Sequence, residues 1–211
     1  MGKNAPKSKV TAMSQRIAPP APSNLPEHAD VWATFSQFYD GRPPNSMLTM
    51  AHVPGLVGAF ADLAQACIRR PGNIPADHKW LIANIASRAA GCRYCTAHTL
   101  HNGSKNGIDA ARLEAIWDFE TSDLFTEAQK TTFRLALAVG ANVVTDDEVK
   151  AAKQHYSDQE MAEIVAVIAL FGFLNRWNDA VGTTLESSAL TFAAEKNLTA
   201  HGWQVGPHAG G

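Results

Sequence analysis

The sequence predicts one compact all-α domain, and three observations carry that expectation. Apolar residues recur three and four positions apart over most of the chain, the period that places them on one face of a helix. Ser or Thr stands three residues before Glu or Gln at Thr126/Gln129, Thr145/Glu148 and Ser157/Glu160. In that capping-box pattern the side chains satisfy orphan amides at a helix start. No period-2 run bounded by hairpin turns, and no repeat of about 20–50 residues, competes with this reading.

Taken in order, residues 1–25 mix Lys, Ser, Asn and Pro without a period and read as a flexible tail. Residues 26–200 read as a single all-helical domain and residues 201–211 as a second flexible tail. From Glu27, the spacing of Val31, Trp32, Phe35 and Phe38 gives a first helix that Gly41-Arg42-Pro43-Pro44 ends. A second covers residues 54–69, with Leu56, Val57, Phe60, Leu63, Ala64 and Cys67 on one face, and Pro71-Gly72 stops it. Pro75 suits the first turn of the next helix, Asp77 sits near the positive end of its dipole, and Gly91 breaks it. Beyond the cysteines the three capping boxes open further helices. Residues 161–173 are nearly all apolar, so their helix is expected to be buried on most sides. The apolar faces here and around Trp32, Phe35 and Phe38 exceed what one small bundle buries, which points to a homo-oligomer.

Composition narrows the function. The 211 residues hold 18 Lys+Arg against 20 Asp+Glu, a net charge of −2, and 45% apolar residues. Such a balance gives no electrostatic footprint for nucleic acid or an anionic membrane surface as partner. No apolar run is read as reaching the roughly 18–20 residues that span a bilayer, and no signal-peptide stretch is read at the start. A cytoplasmic location is expected. Three cysteines, Cys67, Cys92 and Cys95, are too few for a disulfide framework.

One segment carries chemistry: Gly91-Cys92-Arg93-Tyr94-Cys95-Thr96-Ala97-His98-Thr99-Leu100-His101. On a helix, Cys92 and Cys95 share a face close enough for a disulfide, and His98 follows one turn later. An imidazole there takes the proton of Cys95 or holds its thiolate, while amides at a helix start favour a thiolate at Cys92. A thiolate attacks a peroxide or a disulfide sulfur, and the neighbouring thiol resolves the product. Thr96 stands where a c-type haem site needs His, and a zinc site built on Cys92, Cys95 and His98 lacks a fourth ligand. Two inert buried thiols remain an alternative, and no metal or cofactor is expected. Cys67 reads as a core thiol and His101 as a surface histidine. Asn175, Arg176, Trp177 and Asn178 read as pocket lining, with Trp177 equally a subunit contact. His52, His78 and His155 lack a partner pattern.

This segment, with the helix leading into it, resembles the alkylhydroperoxidase D-like proteins of the carboxymuconolactone decarboxylase superfamily. The run Phe173-Leu174-Asn175-Arg176-Trp177-Asn178 and the upstream stretches Met50-Ala51-His52-Val53-Pro54 and Gly72-Asn73-Ile74-Pro75 resemble that family too, over about residues 45–190. The resemblance implies an all-α, oligomeric fold and a thiol-dependent peroxidase or disulfide oxidoreductase. It also implies Cys95 as the attacking thiol and Cys92 as the resolving one. Two positions depart from the family pattern. The histidine falls three residues after the second Cys, with Thr99 at the fourth place. The relay Glu, twelve residues before the first Cys, is replaced by Trp80, with Asp77 the nearest acid.

The expected function is therefore reduction of a hydroperoxide or other small molecule by Cys92, Cys95 and His98, with a thiol or dithiol as reductant. A lyase or decarboxylase, for which Arg93 offers an anion contact, and a non-catalytic redox-sensing oligomer are the alternatives.

Overall fold

The computed structural model describes residues 15–20, 29–36, 41–196 and 198–209, and every regular element among them is helical. The α-helices are α1 (Ala29–Ser36), α2 (Asn45–Met50), α3 (Leu56–Ala64), α4 (Ala76–Ala89), α5 (Arg93–Lys105), α6 (Ala110–Ala115), α7 (Glu127–Gly140), α8 (Asp146–Lys153), α9 (Asp158–Val181) and α10 (Ser187–Glu195). All three capping boxes form, and they open α7, α8 and α9. At α9, for instance, the Glu160 amide donates to Ser157 Oγ at 3.3 Å while the Ser157 amide donates to Glu160 Oε2 at 2.8 Å. The helix expected over residues 54–69 is α3 continued by one π turn, Gln65–Arg69. Gly91 ends the α4 segment in the left-handed region, at φ 76°, which glycine adopts without a Cβ penalty.

Helix α4 is the centre of the bundle, with α5, α7 and α9 packed around it. Its Leu81, Ile82, Ala83 and Ile85 are shut away from solvent. Across from it, Phe133 of α7 meets the rings of Phe119, Phe125 and His78 edge-on at 5.3, 5.4 and 5.5 Å. The end of α7 crosses α4 so closely that a Cβ on Gly140 would lie 2.7 Å from the Ala86 carbonyl oxygen. Only glycine allows that approach.

Four expectations need correction. By length and composition, the 24-residue α9 passes as membrane-spanning, although no run of span length was expected. Its composition follows from its place in the core: Met161, Ile164, Val167, Ile168, Leu170 and Phe171 face inward, while Val165 and Phe173 face outward. Trp32 and Phe35, expected as apolar surface left over for association, are buried within the protomer; Phe38 lies outside the described residues. The C-terminal stretch is not loose over residues 201–209. It folds back onto α5, where Trp203 Nε1 donates to the Arg93 carbonyl at 2.9 Å and His208 is buried between Thr183 and Asp179. Of the expected N-terminal tail, residues 15–20 lie along the bundle, with the Arg16 amide donating to Val181 O at 2.8 Å. The rest of that expectation lies outside the described residues.

His78 gives the fold a pH dependence. It is buried on α4, with Nε2 2.8 Å from Thr132 Oγ1. Burial, opposed by Asp77 and aided by Arg112, pushes its imidazole down to about 4. In the unfolded chain the ring takes a proton near pH 6.5, so between about pH 6.5 and 4 the unfolded state binds more protons and stability falls with falling pH, by about 3 kcal/mol at most. Urea unfolding of the parent and of His78→Gln checks this. The variant should lose most of the slope in that window, and an unchanged slope would mean that His78 does not titrate on unfolding.

Candidate active site

The reactive segment begins where α4 ends. After Gly91, Cys92 is the N-cap of α5, and its Sγ accepts the Cys95 amide at 3.3 Å, as a serine oxygen does at other helix starts. Both cysteines are buried; the pair is 3.1 Å apart and unbonded. Asn84 of α4 fixes the register of α5 by donating through Nδ2 to Thr96 O at 3.0 Å and Thr99 Oγ1 at 2.9 Å. Trp117 Nε1 donates at 3.2 Å to the Oδ1 of the same amide, so Asn84 uses both ends.

The two thiols differ in surroundings. Burial, then the neighbouring Cys95 and the charge of Asp179, push the Cys92 thiol up, and these outweigh the helix-start amide that favours a thiolate. Cys95 instead lines a cavity of about 60 Å³ together with His98, Asn178, Trp80, Phe60 and Phe171. Asn178 Nδ2 donates to Cys95 Sγ at 3.4 Å. The cavity wall is mainly apolar and aromatic, with Ser46, Arg69, Thr99 and Asn102 as further polar lining beside Cys95, His98 and Asn178. Trp80, standing where the resemblance puts a relay carboxylate, narrows this space and packs against Phe171 with ring centroids 6.3 Å apart.

A carboxylate reaches the histidine from elsewhere. Glu186, just before α10, bonds His98 Nε2 through Oε2. Its Oε1 accepts the Asn45 amide at 2.6 Å and the Tyr94 hydroxyl at 2.9 Å. Burial works against this charge, but His98 and the backbone bond from Asn45 outweigh it and hold the Glu186 carboxyl below its ordinary range. A carboxylate oxygen only accepts, so His98 Nε2 carries the hydrogen, and whenever the ring is neutral its lone pair is on Nδ1. The ring lies against Tyr94, with centroids 4.4 Å apart.

The structure thus brings Cys92, Cys95 and His98 to one helix start, as the spacing implied. Sequence reasoning missed Glu186, 88 residues from His98, for which no local pattern exists. The one available signal is weak: Glu occupies an N-cap position whose side chain makes no cap bond. His101, expected at the surface, is buried with its ring 5.2 Å from Phe192. Cys67 is a buried thiol on the π turn, raised by burial.

The sequence profile of the carboxymuconolactone decarboxylase family matches residues 54–138. The structure of the debrominase Bmp8, as a cysteine-to-alanine variant in complex with 2,3,4-tribromopyrrole, superposes with a TM-score of 0.80 at 32% identity, covering 88% of this chain and 100% of that one. The alkylhydroperoxidase AhpD core protein of Ralstonia eutropha JMP134, a peroxidase-related protein, gives a TM-score of 0.71 at 23% identity over 85% of this chain and 95% of its own. It is similar in fold. No curated protein matches the sequence significantly.

If Glu186 orients His98 and His98 assists Cys95, removing either loses the same assistance. His98→Ala and Glu186→Gln should each slow alkylation of Cys95 by about tenfold at pH 7. The double variant should be no slower than the worse single one. Near pH 10 the differences should shrink, since an unassisted thiol ionises there. Multiplying effects in the double variant would show that the two residues act separately.

Proposed function

Because the chain belongs to the carboxymuconolactone decarboxylase family and has the alkylhydroperoxidase D-like fold, we propose that it is a dithiol reductase that removes two electrons' worth of oxidising power from a small apolar hydroperoxide. One observation carries this reading: Cys95 opens into an apolar cavity beside His98, while Cys92 is sealed behind it 3.1 Å away.

The Cys95 thiolate attacks the terminal oxygen of R–O–O–H. The O–O bond breaks, the alkoxide leaves as an alcohol after taking a proton, and the sulfur becomes a sulfenic acid. His98, fixed by Glu186 with Nδ1 as its basic nitrogen, holds and returns the proton. Cys92 then attacks the sulfenic sulfur, water leaves, and the disulfide closes; an external dithiol restores the pair by exchange. Such a cycle suits a reducing compartment such as the cytoplasm. The raised Cys92 thiol fits the resolving role, since a thiol that stays protonated does not compete for the substrate.

A second reading has specific support in the 32% identity to a debrominase along its whole length and in the aromatic cavity wall. Here the Cys95 thiolate takes the halogen from an aromatic ring, the ring carbon gains a proton, and Cys92 displaces halide as the disulfide forms. Both readings end in the same oxidised pair, so the first experiment is common to them. One equivalent of cumene hydroperoxide, or of a brominated pyrrole, is added to the fully reduced protein, and the products are mapped by mass spectrometry after alkylation. The expected result is a Cys92–Cys95 disulfide, a reduced Cys67, and one equivalent of alcohol or of bromide according to the true substrate. Three free thiols after both treatments would contradict the proposal.

A further inference from the structure

Asn178 stands in the last turn of α9 and is 1% exposed. Its carbonyl accepts the Gly182 and Thr183 amides at 2.9 and 3.1 Å, so its backbone is held where the helix ends. The side chain lines the Cys95 cavity and uses one end of its amide: Nδ2 donates to the sulfur at 3.4 Å. The other end, Oδ1, is buried with no hydrogen-bond partner among the described residues. A buried amide oxygen left unpaired has lost its water and gained nothing in return. The orphan oxygen sits on the same planar group as the donor to the sulfur, so anything it bonds is held beside Cys95.

We infer that Asn178 recognises the substrate, accepting through Oδ1 an O–H or N–H hydrogen next to the atom that Cys95 attacks. The amide then spans both reactants. Nδ2–H supports the negative sulfur, and Oδ1 holds the substrate's donor hydrogen, bringing sulfur and target toward the roughly 3–3.5 Å of a near-attack arrangement. This rests on the two-electron reductase reading and narrows its substrates to protic ones. A hydroperoxide meets the requirement through its terminal O–H, and a halogenated ring through a ring N–H. A disulfide or other aprotic electrophile leaves Oδ1 unpaired and is disfavoured. The apolar part of the wall, including Phe60, Trp80, Phe171 and Leu174, takes the apolar remainder.

Two inert probes of nearly equal size, phenol and fluorobenzene, test this, since only phenol carries a donor hydrogen. The reduced full-length protein is treated with iodomethane, an aprotic alkylating reagent whose thioether product Cys92 cannot displace, in the presence of each probe, and modification of Cys95 is followed by peptide mass. Phenol should protect Cys95 at concentrations about tenfold lower than fluorobenzene, the ratio expected for one buried acceptor satisfied or left unpaired. In Asn178→Val the two probes should protect within about twofold of each other. In Asn178→Asp, which keeps an acceptor and loses the donor, the preference for phenol should persist while the unprotected rate of modification falls. Equal protection by the two probes in the parent, protection by neither, or a phenol preference that survives in Asn178→Val would overturn the inference. Because the readout is binding, it separates from the reductase reading. Failure of hydroperoxide and bromopyrrole to oxidise the pair, with the phenol preference intact, would sink that reading and leave donor recognition by Asn178 standing.

Discussion

A carboxylate taken out of water survives only where donors fill its lone pairs, and in this protein that requirement organises the site. Removing an ion from solvent costs several kcal/mol even after relaxation, while each hydrogen bond to a charged group returns about 1.5–3. Glu186 meets three donors from two parts of the chain: the Asn45 amide at the start of α2, and on α5 the Tyr94 hydroxyl and the His98 ring one turn further along. Asn45 Nδ2 in turn donates to Thr184 O at 2.9 Å, tying α2 to the segment that delivers the acid. Loss of any one donor leaves the charge under-bonded, so α2, α5 and the segment before α10 are held in one arrangement.

The C-terminal segment belongs to the same construction. Leu185, the neighbour of Glu186, donates its amide to His208 O at 2.9 Å. The ring of His208 lies between Thr183 O, 2.7 Å from Nδ1, and Asp179, 3.4 Å from Nε2, with its centroid 5.8 Å from that of Tyr94. The segment thus braces Tyr94 and the approach of Glu186 from behind. On the other side, Asn84 and Gly140 set how α5 and α7 lie against α4. The cavity is what remains between these supports. Cys95, His98 and Asn178 bring polar atoms to it, and much of its wall is apolar because α3, α4 and α9 present core residues there.

The division between what was and was not legible in the sequence follows from range. Helix starts at Thr126, Thr145 and Ser157 are local chemistry, written within four residues, and each forms as read. The cysteine pair and His98 are equally local, since a helix brings positions three apart to one face. Glu186 reaches the site through tertiary packing across 88 residues, with no spacing rule to connect it to His98; Asn178, 83 residues from Cys95, reads as pocket lining from its place after the apolar stretch 161–173, but its bond to the sulfur does not. The same limit hides the carboxylate from the sequence: Trp80 stands where the resemblance puts an acid, while Glu186 reaches His98 from the far end of the chain. The C-terminal stretch misled for a compositional reason, because Gly206 and Pro207 read as loose chain, whereas Gly206 at φ 55° turns it and His208 anchors it.

The central claim is that a buried carboxylate fixes which nitrogen of His98 is basic, and imidazole nitrogen NMR reads that directly. In protein labelled with nitrogen-15 at histidine, with His98 assigned through a His98→Gln variant, the neutral ring should carry its hydrogen on Nε2 and show Nδ1 as an unprotonated nitrogen. In Glu186→Gln this single tautomer should give way to a mixture, because an amide offers either a donor or an acceptor to the ring. A His98 ring protonated at Nδ1 in the parent, or an unchanged Nε2–H tautomer without the carboxylate, would contradict the account.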